Sequence, residues 1–598
     1  MLLWLAFVIT AGVVLAAAYP AISVGTNVLV SADRPNDNYH EVMIDADPAN
    51  SNNLIACSQI YDETIQFTTF NYLSINGGKT WKLKLHVGSP HMSGDPACAF
   101  GLNSHIYVAS LDHVSTAGGF SVSRSSNLGE SWVTLEQGTF IDRPYFAIDR
   151  TGGQYNGRIY LNATGGHGGL GAMVFYSIDG GKTWSAPIFT VPFNTHLEAI
   201  GNSVVLSDGT LAFASVVSKF LQVEFAKDIP LLLKFITSID GGRHLDTATV
   251  PVDLVLCGNA IPSVAADSTR GPFHDRLYIA YPEKRNGRCD IAFIRSADRG
   301  KTWSQPLIID RDAALRAGGQ GPDNYMPTVR VNNRGVVGIV WYDRRDDPQD
   351  VGRTVRFTAS VDGGMTFAPS VPVSSATNKP SWNDHFGPPM MHEIQGNPND
   401  GISVSAAPDV SEQAGDTGGL TADANGAFHA LWPDDRTRVS QLWTARITVD
   451  GQAERNGDPA LAALEDVTEK VSFRGSDFRY DPVGRTLSMN AILTNTSKTP
   501  LFGPIKARVV RLESRWASNI STSTTDNGQT KDGAVWDFTP AGDRRTLAPN
   551  AKTKPKHLIF LLREMKPISS ALLNAQTDPR GLVDLQLRVL GASHRGSE

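Results

Sequence analysis

An eight-residue segment recurs six times in this chain and constrains its fold more than any other feature of the sequence. The most regular copy, SIDGGKTW, runs from Ser177 to Trp184. All copies have Ser first, Asp or Asn third and Gly fifth. The others begin at Ser74, Ser125, Ser238, Ser296 and Ser360, so that successive copies start 51 to 64 residues apart. Regular spacing of a similar segment indicates a repeat architecture.

Each octet predicts a tight turn between two antiparallel strands. A run of β-branched or aromatic residues precedes the octets, as in 173–176, 291–294 and 355–358. An Asp or Asn in the third position can hydrogen-bond to its own turn, and the glycines supply positive φ angles. The closing Trp or Phe gives the return strand a large apolar anchor. Six octets therefore predict six copies of one small antiparallel sheet.

The octet matches the Asp box, S-x-D-x-G-x-T-W, and over residues 25–450 the chain resembles the sialidases and their Asp-box relatives. The resemblance implies a β-propeller whose boxes lie on the rim away from the active site, so the boxes have no catalytic role. It does not by itself imply sialidase activity. Xyloglucanases, sortilin-type receptors and non-catalytic propellers carry the same box.

The number of blades depends on a repeat that has no octet. Seven segments of a common kind begin the repeats, and the last of them starts at Gly419. We expect residues 27–30 to supply the outer strand of this seventh unit, which would close the ring and remove a sheet edge. The sequence therefore predicts an all-β, seven-bladed Asp-box propeller, with six blades, as in typical sialidases, as the alternative.

The composition and the residue pattern of the sequence change after residue 450. Residues 451–465 are polar and Ala-rich and predict a linker. Strand-length apolar runs at 487–493, 507–512 and 585–589 then predict a fibronectin/immunoglobulin-like β-sandwich over residues 466–598. No residue pattern marks a ligand site there, so the simplest interpretation is a packing or spacer domain.

The first 18 residues are uncharged and almost wholly apolar, and they end in three alanines. This pattern predicts a signal peptide over residues 1–18 and a secreted, extracellular or periplasmic protein, with no stable membrane span after cleavage. The segment carries no basic residue and approaches the length of a membrane span, so N-terminal anchoring is the alternative.

The net charge and the cysteine content limit which partners, disulfides and metal sites the sequence predicts. A net charge of −6 without a basic cluster argues against nucleic acid. The four cysteines fall as Cys57 with Cys98 and Cys257 with Cys289, which is consistent with two disulfides or with buried free thiols. The sequence has no C-x-x-C motif or nearby His pair, and we predict no metal and no cofactor.

In a propeller, the loops before the first strands and after the second strands meet at one mouth, so polar residues in these loops are the candidates for binding and catalysis. The resemblance to sialidases implies an arginine clamp for an acidic sugar, an acid/base and a tyrosine nucleophile. On that basis the clamp candidates are Arg143, Arg345 and Arg436, with Asp343 beside them. The acid/base candidates are Asp95 and Asp62, and the nucleophile candidates are Tyr325 and Tyr342, with Glu198 drawing the proton.

Each of these residues also has a structural interpretation. Charged groups near a protein core are generally paired, which applies to Arg143 and Arg345, and buried tyrosines usually serve packing. The Arg-Ile-Pro signature that precedes the first box in sialidases is absent; only Arg34-Pro35 and Arg143-Pro144 are similar to it.

The sequence thus favours a secreted glycoside hydrolase of exo-α-sialidase type that acts on the terminal acidic sugars of glycans. One alternative is a non-catalytic propeller that binds glycan or protein at the cell surface. The other is a polysaccharide hydrolase or lyase that uses two carboxylates.

Overall fold

The computed structural model describes residues 20–592. Its gaps are residues 62–66, 88–92, 113–118, 138, 140, 166–170, 191–197, 219–229, 256, 258–260, 286, 312–321, 349–351, 379–416, 438, 454–460, 462–463, 515, 532, 542–544 and 566–581. Two compact units are present, Pro20–Ala453 and Glu454–Glu598. The predicted signal peptide, residues 1–18, and most of the predicted linker lie outside the described residues.

The octets form the predicted turns. Ser177 Oγ donates to Asp179 Oδ1 (2.9 Å), and the same oxygen accepts the amide of Thr183 (2.9 Å). The amide of Gly181, whose φ is +79°, donates to Ser177 Oγ (2.9 Å). These three bonds recur in all six octets, so each copy satisfies its own turn.

Each octet connects the third and fourth strands of an antiparallel sheet, and six sheets are built from consecutive strands. Sheet 1 contains Asn38–Ala46, Leu54–Tyr61, Phe67–Ser74 and Lys82–Val87; sheet 2 contains Ser93–Phe100, Ile106–Asp112, Gly119–Ser125 and Val133–Gln137; sheet 3 contains Ile141–Ile148, Ile159–Gly165, Ala172–Ser177 and Ile188–Phe189. Sheet 4 contains Glu198–Val205, Leu211–Ser218, Pro230–Ser238 and Asp246–Thr249, with Leu254–Val255 also on its third strand; sheet 5 contains Ser263–Ala266, Leu277–Arg285, Arg288–Ser296 and Leu307–Ile308; sheet 6 contains Asn324–Val331, Val337–Asp343, Thr354–Ser360 and Val371–Pro372.

Sheet 7 joins the two ends of the first unit. Its strands are Gly419–Ala422, Phe428–Asp434, Gln441–Val449 and Ile22–Val24, with Val28–Leu29 also on the third strand. The N-terminal segment therefore completes this sheet as predicted. Residues 22–24, which the sequence analysis did not assign, form its outer strand, and residues 28–29 pair with 443–444.

The first strands of the seven sheets contact one another in chain order, and the first strand of sheet 7 contacts that of sheet 1. All seven line one cavity of about 900 Å³. Apolar side chains fill the spaces between sheets; between sheets 5 and 6 the rings of Phe293 and Phe367, the latter an octet's closing residue, lie 5.0 Å apart. This all-β arrangement of four-stranded antiparallel sheets is consistent with a β-propeller.

The sheets have two distinguishable ends. Because neighbouring strands are antiparallel, the octets and the loops after the first strands lie at one end, which we call the octet end. The starts of the first strands and the ends of the second strands lie at the other, which we call the far end.

The second unit contains two antiparallel sheets. One consists of Glu465–Asp466, Asp584–Ala592, Leu501–Glu513 and Val535–Asp537, with Thr546–Leu547 on the third of these; the other consists of Val471–Asp481, Thr486–Asn495, Lys556–Met565 and Ala517–Thr522. Side chains of both sheets share a core that includes Leu487, Trp536 and Phe560. Two 3-10 turns, Leu102–Ser104 and Thr468–Lys470, complete the regular elements described in the chain.

The cysteines divide between the two predicted states. Cys257 and Cys289 form a disulfide, which confirms one pairing. Cys57 and Cys98 are free, buried thiols on sheets 1 and 2, and burial, with Cys57 next to it, raises the pKa of Cys98 well above its usual value.

Candidate functional site at the far end

The far end is where the candidate residues lie. The structure describes all of them except Asp62, which lies outside the described residues. The others stand at the starts of first strands or at the ends of second strands: Asp95, Arg143, Glu198, Tyr325, Tyr342, Asp343, Arg345 and Arg436. None of these eight side chains lines the central cavity. The candidate site is therefore a surface around the cavity's far-end rim.

Strained backbone recurs near the start of the first strands. Glu41, Asp95, Arg143 and Met326 have φ between 42° and 52°, and each lies at a register shift in its strand pairing. Bulges of this kind re-aim a side chain, and such strain is concentrated at functional sites. Three of the four residues are charged, and they occupy equivalent positions in sheets 1, 2 and 3.

These three charged residues are held by their neighbours. Asp95 Oδ2 accepts the backbone amide of Arg143 (3.4 Å), and the Arg143 guanidinium donates to Asp142 (3.2 Å). Glu41 Oε2 accepts the hydroxyl of Thr417 (3.1 Å). The carboxylates of Glu41 and Asp95 and the guanidinium of Arg143 are thus held in place on three adjacent sheets of the ring.

Two tyrosines, Tyr325 and Tyr342, lie close to each other and to two arginines at the far end. Their rings stack with centroids 5.4 Å apart, and both residues are buried. The guanidinium of Arg344 lies 5.0 Å from the Tyr325 ring, and that of Arg353 lies 4.9 Å from the Tyr342 ring. Each of the two phenol rings thus has a cation against it, an arrangement stabilised by the negative ring faces.

The two hydroxyls differ in their contacts. The Tyr325 hydroxyl accepts a hydrogen bond from Arg353 Nη1 (3.4 Å), whereas the buried Tyr342 hydroxyl has no hydrogen-bond partner among the described residues. Burial raises the pKa of Tyr342; Arg353 opposes this, while the charges of Tyr325, Asp434 and Glu41 add to it. Glu41 and Tyr342 are therefore within electrostatic reach of each other.

Two of the three proposed clamp arginines, Arg345 and Arg436, are paired within their own turn. Arg345 donates through Nε (2.8 Å) and Nη2 (2.7 Å) to the carboxylate of Asp343, which is fully buried and also accepts Trp341 Nε1 (2.9 Å).

Sheet 7 repeats this arrangement. Arg436 donates to Asp434, and Trp432 Nε1 lies 3.2 Å from the same carboxylate. Sheet 5 has a related turn, in which Arg285 donates to Glu283 (2.8 Å). Because the pairing recurs in three sheets, it fits a structural motif, W/Y-x-D/E-x-R, better than a substrate clamp.

Glu198 lies on a different part of the far end from the tyrosines. Its carboxylate accepts the amide of Ala172 (3.0 Å) and the hydroxyls of Ser215 (2.5 Å) and Thr190 (3.4 Å). These contacts tie sheets 3 and 4 together, and none of them involves Tyr325 or Tyr342. Glu198 thus has a structural role in this arrangement, and Asp434 and Glu41 are the carboxylates whose charges act on Tyr342.

Arg353 and Glu41 are the residues that the sequence analysis missed. The predicted residues come from the starts of first strands and the ends of second strands, whereas Arg353 stands immediately before the third strand of sheet 6. Glu41 begins the first repeat at the same position as Asp95 and Arg143, and that alignment was the available signal.

Two features are absent from the described residues. Among the described residues, no group of three or more His, Cys, Asp or Glu side chains is arranged to hold a metal ion. In the same part of the chain, no helix has the length and hydropathy needed to cross a membrane.

A family model described as the BNR/Asp-box repeat matches residues 175–186, the octet of sheet 3 with its flanking residues. Six octets with one hydrogen-bond pattern extend that match around the ring. The chain therefore contains BNR/Asp-box repeats. No curated protein matches its sequence.

Solved structures similar to this Asp-box protein include several glycosidases. A sialidase named Hadza microbial sialidase Hz136 is 14% identical, covers 71% of this chain and 94% of its own, and gives a TM-score of 0.36. The intramolecular trans-sialidase from Ruminococcus gnavus is 12% identical over 72% and 98%, with a TM-score of 0.35. An α-L-arabinofuranosidase from Fusarium graminearum is 12% identical over 57% and 98%, with a TM-score of 0.38. Similarities at this level do not decide the activity of the Asp-box protein.

Proposed function

We propose that this chain is a glycoside hydrolase with a seven-bladed propeller that acts on the terminal acidic sugars of glycans. The observation that carries the proposal is the buried stack of Tyr325 and Tyr342 at the far end, with Arg344 against one ring and Arg353 against the other. It places positive charge, for a sugar carboxylate, beside a phenol whose hydroxyl makes no hydrogen bond among the described residues.

The proposed reaction uses one nucleophile and two proton carriers. The Tyr342 oxygen attacks the anomeric carbon and its proton passes to Glu41, while Asp95 protonates the leaving glycosidic oxygen. Water then cleaves the tyrosyl glycoside, with Asp95 accepting its proton and Glu41 returning a proton to Tyr342. The raised pKa of Tyr342 makes the phenol a poor nucleophile until a base accepts its proton, which is the role assigned to Glu41.

A second candidate is a hydrolase that uses two carboxylates. It is favoured by Glu41 and Asp95, which occupy equivalent strained positions on adjacent sheets. In this mechanism one carboxyl group protonates the leaving oxygen and the other attacks or activates water. Tyr342 would then only line the site.

The proposal extends to the cellular setting and the second unit. We infer that the protein is secreted, because residues 1–18 have the signal-peptide pattern. The two sheets of residues 466–592 are assigned to a fibronectin-like sandwich without a catalytic role.

The test is hydrolysis of fluorogenic glycosides by the purified protein. The panel contains a sialoside, a glucuronide and an α-L-arabinofuranoside, so that acidic and neutral sugars are compared. We expect release from the acidic sugars, and a fall in kcat of about 10²-fold or more in Tyr342→Phe. Tyr278→Phe is the matched control, because Tyr278 is also buried and its hydroxyl also has no partner among the described residues. Release from none of the three substrates would favour a glycan-binding propeller.

A further inference from the structure

The central cavity carries charge that the far-end site does not use. It is lined by the first strands of all seven sheets and has a volume of about 900 Å³, within the range of small-molecule sites. Its charged lining, among the described residues, consists of Asp45, Arg150, Arg270 and Arg330, with His274 at the same rim. Three guanidinium groups against one carboxylate make the cavity electropositive.

Arg330 is the least exposed of these cations. It is the last residue but one of the first strand of sheet 6, and its partner in the sheet is Gly338. The side chain is only partly exposed. Nη1 donates to the carbonyl of Val329 (3.0 Å), and no carboxylate lies within ion-pair distance among the described residues. Arginines that are removed from solvent are normally paired with an anion.

The nearest acidic group does not fill that role. Asp45 interacts with Arg330 only at longer range. Its oxygens accept the amide of Phe100 (2.8 Å) and the hydroxyl of Thr421 (3.2 Å), and its ion-pair partner is Arg150, at 3.8 Å. The donors of Arg330 that do not reach Val329 therefore have no hydrogen-bond partner among the described residues.

Arg150 and Arg270 lie on loops that follow first strands, at the octet end of the cavity. Both are exposed, so they can attract an anion from solvent towards Arg330. The positive charge of these two arginines thus favours entry of an anion from the octet end.

We propose that the central cavity binds a small molecule through an oxyanion group, a carboxylate, phosphate or sulfate, that pairs with Arg330. Arg330 donates to the oxyanion from its unused N–H groups, and Arg150 contributes charge at the entrance. This site is separate from the proposed hydrolytic site and does not rest on that proposal.

The experiment is calorimetric titration of the full chain with inorganic phosphate, sulfate and acetate at low ionic strength. We expect at least one of them to bind, and Arg330→Gln to weaken its binding about tenfold or more. Stronger binding of phosphate and sulfate would indicate a tetrahedral group, and stronger binding of acetate a carboxylate. Arg474→Gln is the matched control, because it removes the same charge from an exposed position in the second unit, and its affinity should equal that of the wild type.

Two results would overturn the proposal: no binding of any of the three anions to the wild type, or equal affinity in Arg330→Gln. Asp45→Asn provides an independent test should Arg330→Gln fail to fold. It removes the cavity's only described carboxylate and should tighten binding about threefold. Unchanged or weaker binding in Asp45→Asn would contradict the electrostatic argument.

Discussion

The two ends of the same seven sheets differ in how much equivalent positions vary from one sheet to the next. At the octet end, one sequence segment repeats with one hydrogen-bond pattern, and even the copy that carries His244 in place of Thr keeps it. At the far end, equivalent positions hold Glu41, Asp95, Arg143 and Met326. The octet end, where the repeats are alike, therefore serves as scaffold, and the far end, where they differ, carries the candidate site. Loops on a rigid scaffold can vary without loss of the fold.

The largest expected effect distinguishes Arg353, which contacts the stacked tyrosines, from Arg345, which is paired with Asp343. Arg353→Met removes a cation from the face of Tyr342 and the bond to the Tyr325 hydroxyl, so we expect kcat/KM for an acidic glycoside to fall by about 10²-fold or more. Arg345→Met should lower kcat/KM less than tenfold, or about 1.4 kcal/mol. The reverse order would restore Arg345 as a substrate clamp.

Arg345→Met should instead show its effect on stability. The substitution leaves the fully buried Asp343 carboxylate without its ion partner, which costs about 3–5 kcal/mol. Denaturant unfolding of the first unit measures this loss. An unchanged free energy of unfolding would mean that the W/Y-x-D/E-x-R motif is not structural.

At the octet end, the expected loss is in stability alone. Asp362→Ala in the octet of sheet 6 removes the acceptor of Ser360, Met365 and Thr366, all buried, and should cost about 2–3 kcal/mol. Turnover per folded molecule should not change. A parallel fall in kcat would contradict the separation of scaffold from chemistry.

The disulfide should contribute a similar amount. Cys257 and Cys289 are 32 residues apart, and a loop of that length gives about 3–4 kcal/mol in the chain-entropy view. Replacing both residues with serine should lower the unfolding midpoint, whereas replacing Cys57 with serine should not act through loop closure. Equal sensitivity of the wild type and the double variant to a reducing agent would show that the bond does not contribute.

The smallest expected effect is a pH dependence at the octet end. Burial alone would raise the pKa of Asp179, but hydrogen bonds from Thr183, Ser177 and Lys182 bring it down to about 2. Since this pKa lies below the unfolded value, Asp179 stabilises the fold above about pH 4, and the contribution is lost as the pH falls towards 2. Asp179→Asn should flatten that part of the stability curve, which acid titration of unfolding measures.

The sequence predicted the features whose determining residues lie close together in the chain, such as the turns of the octets. The octet contains every group that its turn needs, so Ser177 and Asp179 could be interpreted from the sequence alone. The closing strand of sheet 7 was predicted because the last repeat lacked an octet, but residues 22–24 were missed because three residues carry too little pattern.

The far-end site depends on contacts that no local pattern encodes. The sequence placed Tyr325 and Tyr342 at the correct end, but their stacking follows from pairing between two strands of sheet 6. Arg353 contacts them from the position immediately before the third strand. Glu198 has the right residue type for a base, yet its carboxylate is taken up by Ala172 and Ser215, which only the packing of sheets 3 and 4 reveals.

The most direct test of the far end as the reaction centre is to trap the covalent intermediate with a fluorinated acidic sugar and locate it by mass spectrometry. The mechanism predicts one added sugar per chain, on the peptide that contains Tyr342, and none in Tyr342→Phe. A sugar attached to Glu41 or Asp95, or no attachment despite turnover, would contradict the tyrosine mechanism.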